Sequence, residues 1–113
     1  MPSSSRELAE HIADILRPLG RVVEVRRFFS GFELRVDGEQ LLMLHESEIY
    51  FRVPTDALRA ELREAGGAPF TYASSKRNVT VQRYFGAPAD WIEDAERLLD
   101  FARRNLSALR EEK

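Results

Sequence analysis

The first twenty residues carry apolar side chains at helical spacing. These are Leu8, Ile12, Ile15 and Leu16. Recurrence every three or four residues gathers them on one face of an α-helix, and that face must be covered by the rest of the fold. Ser4 and Glu7 have the spacing of a capping box and predict where this helix begins. Pro18 and Gly20 predict where it ends.

From residue 22 the apolar period changes to two, and β-branched and aromatic residues become frequent. Alternation over residues 22–27 predicts a first strand, and alternation over residues 32–36 predicts a second. Between them, Ser30 and Gly31 are expected to supply a flexible bend. The two strands therefore form a hairpin.

Asp37 and Gly38 follow the second strand and are typical of a two-residue type I′ turn, because both residue types tolerate positive φ. A third strand over residues 40–45 must then pair with the second. Its segment Leu41–Leu44 is apolar on both faces, which favours a central position in the sheet. Residues 49–53 alternate again and predict a fourth strand of an antiparallel meander.

Helical and extended segments follow one another in the second half. Thr55 is placed to cap a second helix, and Asp94 to cap a final one. Residues 70–72 are a short extended piece, and residues 78–84 predict a clearer last strand. The predicted order is α-ββββ-α-β-α. This order indicates an α+β fold, a two-layer sandwich in which helices pack on an antiparallel sheet of about five strands.

Length and composition narrow the class of protein. The chain has 113 residues, a net charge of −2 and no cysteine. One core is expected, so residues 1–113 are predicted to form a single domain. Without cysteine, disulfides, thiolate catalysis and cysteine-ligated metals are excluded. No apolar run reaches the ~20 residues of a membrane span, and the amphipathic start is unlike a signal peptide. A cytoplasmic protein is predicted.

Residues that usually carry catalysis are sparse. The two histidines, His11 and His45, have no metal-binding spacing, and the acidic groups fit solvated turns and helix starts. Nucleophile-elbow, phosphate-loop and dinucleotide motifs are missing from the sequence. No catalytic residue, cofactor or metal is therefore predicted, and the protein is not expected to be an enzyme. A small enzyme or ligand binder requires a polar-lined pocket, which a structure can test.

Arginine and aromatic residues mark the predicted contact surface. Between Arg17 and Arg35 the chain has five arginines and only two acids. If the last strand lies beside the meander, a second basic group joins them, with Tyr72 and Tyr84 nearby. The predicted partner-binding residues are Arg26, Arg27, Phe28, Phe29, Arg35, Lys76, Arg77 and Arg83. Such a surface suits a protein partner or a homodimer. Nucleic acid is the less favoured ligand, because the chain lacks an overall basic excess.

Four segments together form a familiar pattern. Residues 27–38 are similar to a Met-Phe-Gly-Gly-Tyr-Gly-Leu stretch that runs into an Asp-Gly turn, and residues 49–53 to the strand that follows it. Residues 68–72 are similar to a Pro-Phe-Thr-Tyr segment, and residues 98–104 to a final helix. In these features the chain resembles the N-terminal domain of the TfoX (Sxy) family of bacterial competence regulators, from about residue 8 to residue 109.

The chain also departs from that pattern. Phe28 stands where the family typically has Met, Ser30 and Glu33 stand where it has Gly, and the second domain of full-length members is missing. The resemblance implies a noncatalytic regulatory module that binds a protein partner of the transcription-regulator class. Full-length relatives act on DNA-uptake genes with a cyclic-AMP receptor protein. It transfers no catalytic residue. The alternative is a DNA-binding module that uses the arginine-rich sheet patch.

Overall fold

The computed structural model describes residues 5–112 and contains three α-helices and six strands within them. The elements are α1 (Ser5–Leu16), β1 (Val23–Phe28), β2 (Gly31–Val36), β3 (Glu39–His45), β4 (Glu48–Arg52), α2 (Asp56–Glu64), β5 (Pro69–Ala73), β6 (Asn78–Gly86) and α3 (Ala95–Glu111). Short 3-10 segments lie at Arg17–Leu19 and Ala89–Glu93. The α+β prediction is confirmed.

A single antiparallel sheet has the strand order β1-β2-β3-β4-β6-β5 and contains six strands rather than about five. The extra strand is β5, which the sequence marked only as a short extended piece. It becomes a strand because it pairs with β6, where Tyr72 lies opposite Val79. The observed order is therefore α-ββββ-α-ββ-α. The predicted meander is confirmed for β1 to β4, and β3 is buried along nearly its whole length.

Two turns of the meander have different conformational origins. Asp37 and Gly38 have φ values of 50° and 85°, so the predicted type I′ turn is confirmed. In the β1–β2 turn, however, the positive φ of 52° falls on Phe29, and Gly31 is the first residue of β2. The expectation of a bend at Ser30-Gly31 was wrong by one residue.

Gly31 serves close approach rather than flexibility. An added Cβ there would lie 1.9 Å from the backbone oxygen of Leu44 on β3. Because no side chain fits that space, β2 and β3 come together at this end of the hairpin only with glycine.

The core lies between one face of the sheet and the helices. Large side chains from the strands meet α3 there, and the Phe51 and Phe101 rings are 4.9 Å apart. Ile12 and Leu16 of α1 are fully buried in the same cluster. This burial covers the apolar face that the sequence predicted for the first helix. The opposite face of the sheet is left without a helix within residues 5–112.

Helix caps follow the sequence closely. The Thr55 hydroxyl accepts a hydrogen bond from Leu58 N at 3.2 Å, and the Asp94 carboxylate accepts one from Arg97 N at 3.2 Å. Both predicted caps are confirmed. The predicted capping box at the start of α1 depends on Ser4, which lies outside the described residues.

An exposed ion pair joins α2 to α3. The Arg104 guanidinium donates to both carboxylate oxygens of Glu61 at 2.7 Å, and this hydrogen bonding lowers the pKa of Glu61. A carboxylate with a lowered folded-state pKa stabilises the fold above its unfolded pKa, and the contribution is lost as the pH falls through the folded value.

Wild type is expected to lose stability as the pH falls from about 5 to about 3, because Glu61 becomes protonated and the ion pair is lost. Arg104→Gln lacks the pair and should lose less over the same range. The difference should not exceed about 1 kcal/mol, because the pair is partly solvated. Urea unfolding of both proteins at the two pH values measures the difference. Arg103→Gln, which removes an exposed neighbouring charge, is the control. Equal acid sensitivity of wild type and Arg104→Gln would contradict the role assigned to this pair.

None of the helices within residues 5–112 has the length and apolar character needed to cross a bilayer.

Candidate functional site

The face of the sheet opposite the helices curls around an apolar cavity of about 430 Å³. The cavity is lined by Phe28, Phe29, Met43, Leu44, His45, Phe70, Tyr72, Val81 and Tyr84. The rings of Phe28 on β1 and Tyr84 on β6 are 6.3 Å apart, although three strands lie between them. In a flat sheet the backbones of those strands would be about 19 Å apart. The curl of the sheet therefore makes the cavity.

One wall of the cavity is the β1–β2 turn. Phe28 and Phe29 are consecutive, and a strand would send them to opposite faces. The positive φ of Phe29 breaks this alternation, and the two rings lie 4.5 Å apart at the same rim. Phe29 is 82% exposed. Because the Phe29 ring stays largely in water, it contributes little hydrophobic free energy to the stability of the fold.

The opposite wall is the β5–β6 hairpin. Its register shifts so that Pro69 pairs with Phe85 while Phe70 pairs with Val81. The extra β6 residues form a bulge, which bends the strand and brings both Val81 and Tyr84 to the cavity. Tyr72, 46% exposed, stands at the rim on this side.

Phe70 organises the floor of the cavity. Its ring contacts those of His45 and Tyr50 edge-on, with centroids 5.1 Å away in each case. The Tyr72 ring stacks on it at 6.0 Å. Such packing of aromatic edges and faces is favourable beyond simple burial. The floor is consequently a packed aromatic cluster around the buried Phe70 ring, whereas Phe29 and Tyr72 on the two rims are exposed.

A buried polar cluster closes one side of the site. Glu33 is only 4% exposed, and it accepts hydrogen bonds from Arg35 Nε at 2.9 Å and Gln40 Nε2 at 2.8 Å. The Tyr84 hydroxyl donates to Gln40 Oε1 at 2.9 Å. The charge of Glu33 is thus paired, which a buried carboxylate requires. These groups satisfy one another and orient the Tyr84 ring.

The remaining polar groups lie near the β1–β2 and β3–β4 turns. Ser30 Oγ and His45 Nδ1 are 3.3 Å apart. Burial raises the pKa of Tyr50, and the neighbouring carboxylates of Glu48 and Glu46 raise it further. The Tyr50 hydroxyl therefore stays protonated across the physiological range. Among residues 5–112, no three histidine or acidic side chains converge as ligands for a metal ion.

The structure does not gather the predicted contact residues into one patch. Phe28 and Phe29 line the cavity. Arg26 and Arg35 lie on the same face of the sheet, but each pairs with an acid, Glu24 at 3.3 Å and Glu33 at 2.9 Å respectively. Their positive charge is largely neutralised at the surface.

The other predicted basic residues lie elsewhere. Arg27 points to the helix side, where its guanidinium lies 5.6 Å from the centroid of the Phe32 ring. Lys76 and Arg77 are exposed in the loop between β5 and β6. Arg83 lines a separate polar cavity with Arg59 and Asp56. The last strand does lie beside the meander, but the alternation and bend of the strands send these side chains to different surfaces.

Sequence reasoning missed five residues of the cavity: Met43, Leu44, His45, Phe70 and Val81. Met43 carried a signal, since β3 is apolar on both faces and only one of those faces is covered by a helix in the part of the chain that the structure describes. Phe70 and Val81 carried none, because their position depends on the register shift between β5 and β6.

The sequence model of the TfoX N-terminal domain matches residues 14–109. No curated protein matches the chain. The family match supports a regulatory domain in general.

Proposed function

Because the chain belongs to the TfoX N-terminal domain family, we propose that it is a noncatalytic, cytoplasmic regulatory module that docks on a protein of transcriptional control. The observation that carries the proposal is the apolar cavity between two exposed aromatic rims. Such a site suits the insertion of a large apolar side chain from a partner, because aromatic anchors in desolvated pockets dominate the binding energy of protein interfaces.

The chemistry around the cavity favours binding over catalysis. The polar groups beside it, Glu33, Arg35 and Gln40, are engaged with one another. The titratable side chains that line the cavity are His45, Tyr72 and Tyr84. His45 already contacts Ser30 and Glu46, and the Tyr84 hydroxyl donates to Gln40. Acid–base chemistry needs such a group directed at a substrate, and most of the lining is apolar. The proposed role is therefore recognition of a partner surface.

Direct DNA binding is the alternative and has weaker support. Phosphate recognition needs several unpaired cations on one surface. Here Arg26 and Arg35 pair with acids, and Arg27 lies on the helix side of the sheet. Lys76 and Arg77 lie in the loop between β5 and β6, and Arg83 lines the separate polar cavity.

Tyr72→Lys tests the proposed docking site. It places a charge at the cavity rim, and desolvation of that charge is expected to weaken partner binding by at least about tenfold. The matched control is Thr71→Lys, which adds the same charge to the adjacent residue on the opposite face of β5, where Thr71 faces Thr80. Thermal unfolding should show both variants folded.

The readout is quantitative affinity capture from native lysate, followed by titration of each captured protein after purification. A regulator retained by wild type and Thr71→Lys but lost by Tyr72→Lys is the expected result. Equal retention by Tyr72→Lys would contradict docking at the cavity. Retardation of duplex DNA at low salt by the purified chain, with no protein retained, would favour the alternative.

A further inference from the structure

Strand β1 is an edge of the sheet. Within residues 5–112 it pairs only with β2, and every one of its residues remains at least partly exposed. An edge strand presents unpaired backbone donors and acceptors that can pair with another strand. At six residues, β1 is long enough to form a regular ladder.

The free backbone groups of β1 are identified by its pairing with β2. Asp37 N–H donates to Val22 O at 2.8 Å, so these two residues form a hydrogen-bonded pair. Alternation along an antiparallel ladder then assigns Glu24, Arg26 and Phe28 to bonds with β2. The N–H and C=O groups of Val23, Val25 and Arg27 point away from β2, toward the open edge.

The side chains of β1 are complementary to a second, antiparallel β1. With a two-fold axis at Val25, Glu24 of each copy lies opposite Arg26 of the other. Because Val25 would form a hydrogen-bonded pair with its own copy, Glu24 and Arg26 fall in the closer, non-bonded pairs, where side chains interact most strongly.

The same register continues a charge pattern already present in the monomer. Across β1 and β2, Glu24 lies opposite Arg35 and Arg26 lies opposite Glu33. In the dimer, Arg26 would lie between Glu33 of its own chain and Glu24 of the other copy. Glu24 would lie between Arg35 of its own chain and Arg26 of the other copy. The outward backbone groups of Val23, Val25 and Arg27 allow only registers that pair these residues with one another. Among those, the neighbouring registers place Glu24 opposite Glu24 or Arg26 opposite Arg26, so only the register centred on Val25 places opposite charges together.

Exposed apolar residues at the two ends of β1 provide an independent argument. Val22 is 52% exposed just before the strand, and Phe29 is 82% exposed just after it. Antiparallel pairing about Val25 brings Val22 of one copy opposite Phe28 of the other, beside the Phe29 ring, whose centroid lies 4.5 Å from that of Phe28. Self-association thus covers apolar surface that the single chain leaves in water.

From these observations we propose that two copies of the chain form a two-fold dimer by antiparallel pairing of their β1 strands. The two sheets become one continuous sheet, and the two cavities open on its same face. The dimer goes beyond the proposed function. Phe28 and Phe29 belong both to the cavity rim and to the ends of the proposed interface. The backbone pairing and the charge pairs of the dimer involve Glu24, Val25 and Arg26 instead, which the docking test at Tyr72 leaves unchanged, so each proposal can fail without the other.

Charge reversal tests the proposed register. Light scattering with size-exclusion chromatography is expected to give twice the chain mass for wild type. Glu24→Arg places arginine opposite Arg26, and Arg26→Glu places glutamate opposite Glu24. Each single variant is expected to raise the dimer dissociation constant by about tenfold or more. An equimolar mixture of the two variants restores opposite charges in both positions and is expected to form a heterodimer.

The mixture also controls for damage to the monomer, since variants that merely fail to fold cannot rescue each other. Val25→Pro provides a second test, because it removes an outward N–H and leaves the bonds from β1 to β2 in place. It is expected to be monomeric, with circular dichroism like that of wild type. A monomeric wild type at high micromolar concentration would overturn the proposal. A dimer that persists in Val25→Pro, or no heterodimer in the mixture, would also overturn it.

Discussion

Replacing Gly31 with alanine is expected to destabilise the protein by about 3 kcal/mol or more. The new Cβ would meet the Leu44 backbone oxygen at 1.9 Å. Backbone cannot rotate away as a side chain can, so β2 and β3 must separate at the end that carries the cavity. Gly31→Ala should therefore lower the free energy of unfolding and also displace the Phe28–Phe29 rim of the cavity.

Urea unfolding of Gly31→Ala measures this effect, and Gly38→Ala is the matched control. Gly38 has φ 85° but no atom within 4 Å of an added Cβ, so its substitution should cost only about 1 kcal/mol of backbone strain. If Gly31→Ala lowered the free energy of unfolding less than Gly38→Ala, β2 and β3 would be able to move apart at little cost, and the prediction would be wrong.

Truncation of Phe51 to alanine is expected to lower the free energy of unfolding by about 3–5 kcal/mol. Phe51 is fully buried in β4 and packs against Phe101 of α3, so its loss leaves a cavity between the two layers. Denaturant unfolding followed by circular dichroism gives the magnitude.

Phe29→Ala is the control for Phe51→Ala, because it removes the same ring from a site that is 82% exposed. Its effect on stability should stay within about 0.5 kcal/mol. Comparable losses in the two variants would mean that Phe29 is also part of the core, and its availability to a partner would then be lost.

Local chemistry accounts for the parts of the fold that were predicted correctly. Asp37-Gly38 specifies its turn because both residues accept positive φ. Thr55 and Asp94 specify helix starts because each side chain bonds a backbone N–H three residues ahead. These signals act over a few residues and depend on no distant contact.

Pairing with distant strands accounts for the parts that were missed. Strand β5 is short, and it is ordered by β6 rather than by its own sequence. The bend predicted at Gly31 falls on Phe29 because Gly31 is held against β3, where no Cβ fits. The β5–β6 pairing and the contact of Gly31 with β3 both join residues that are distant in sequence, so local patterns do not predict them.

The candidate site shows the same division. Phe28 and Phe29 were predicted as contact residues, and they do line the cavity. The predicted arginines were expected to join them, but side-chain alternation and the bulge in β6 direct Arg27 and Arg83 to other surfaces.

The amino-acid sequence alone determined the α+β class, the four-stranded meander, the caps of α2 and α3 and the family, because periodicity and turn chemistry are properties of neighbouring residues. Only the tertiary structure decided the sixth strand, the curl of the sheet and the apolar cavity. These features arise where β1, β3 and the β5–β6 hairpin converge, and close approach between distant residues is set by packing rather than by local preference.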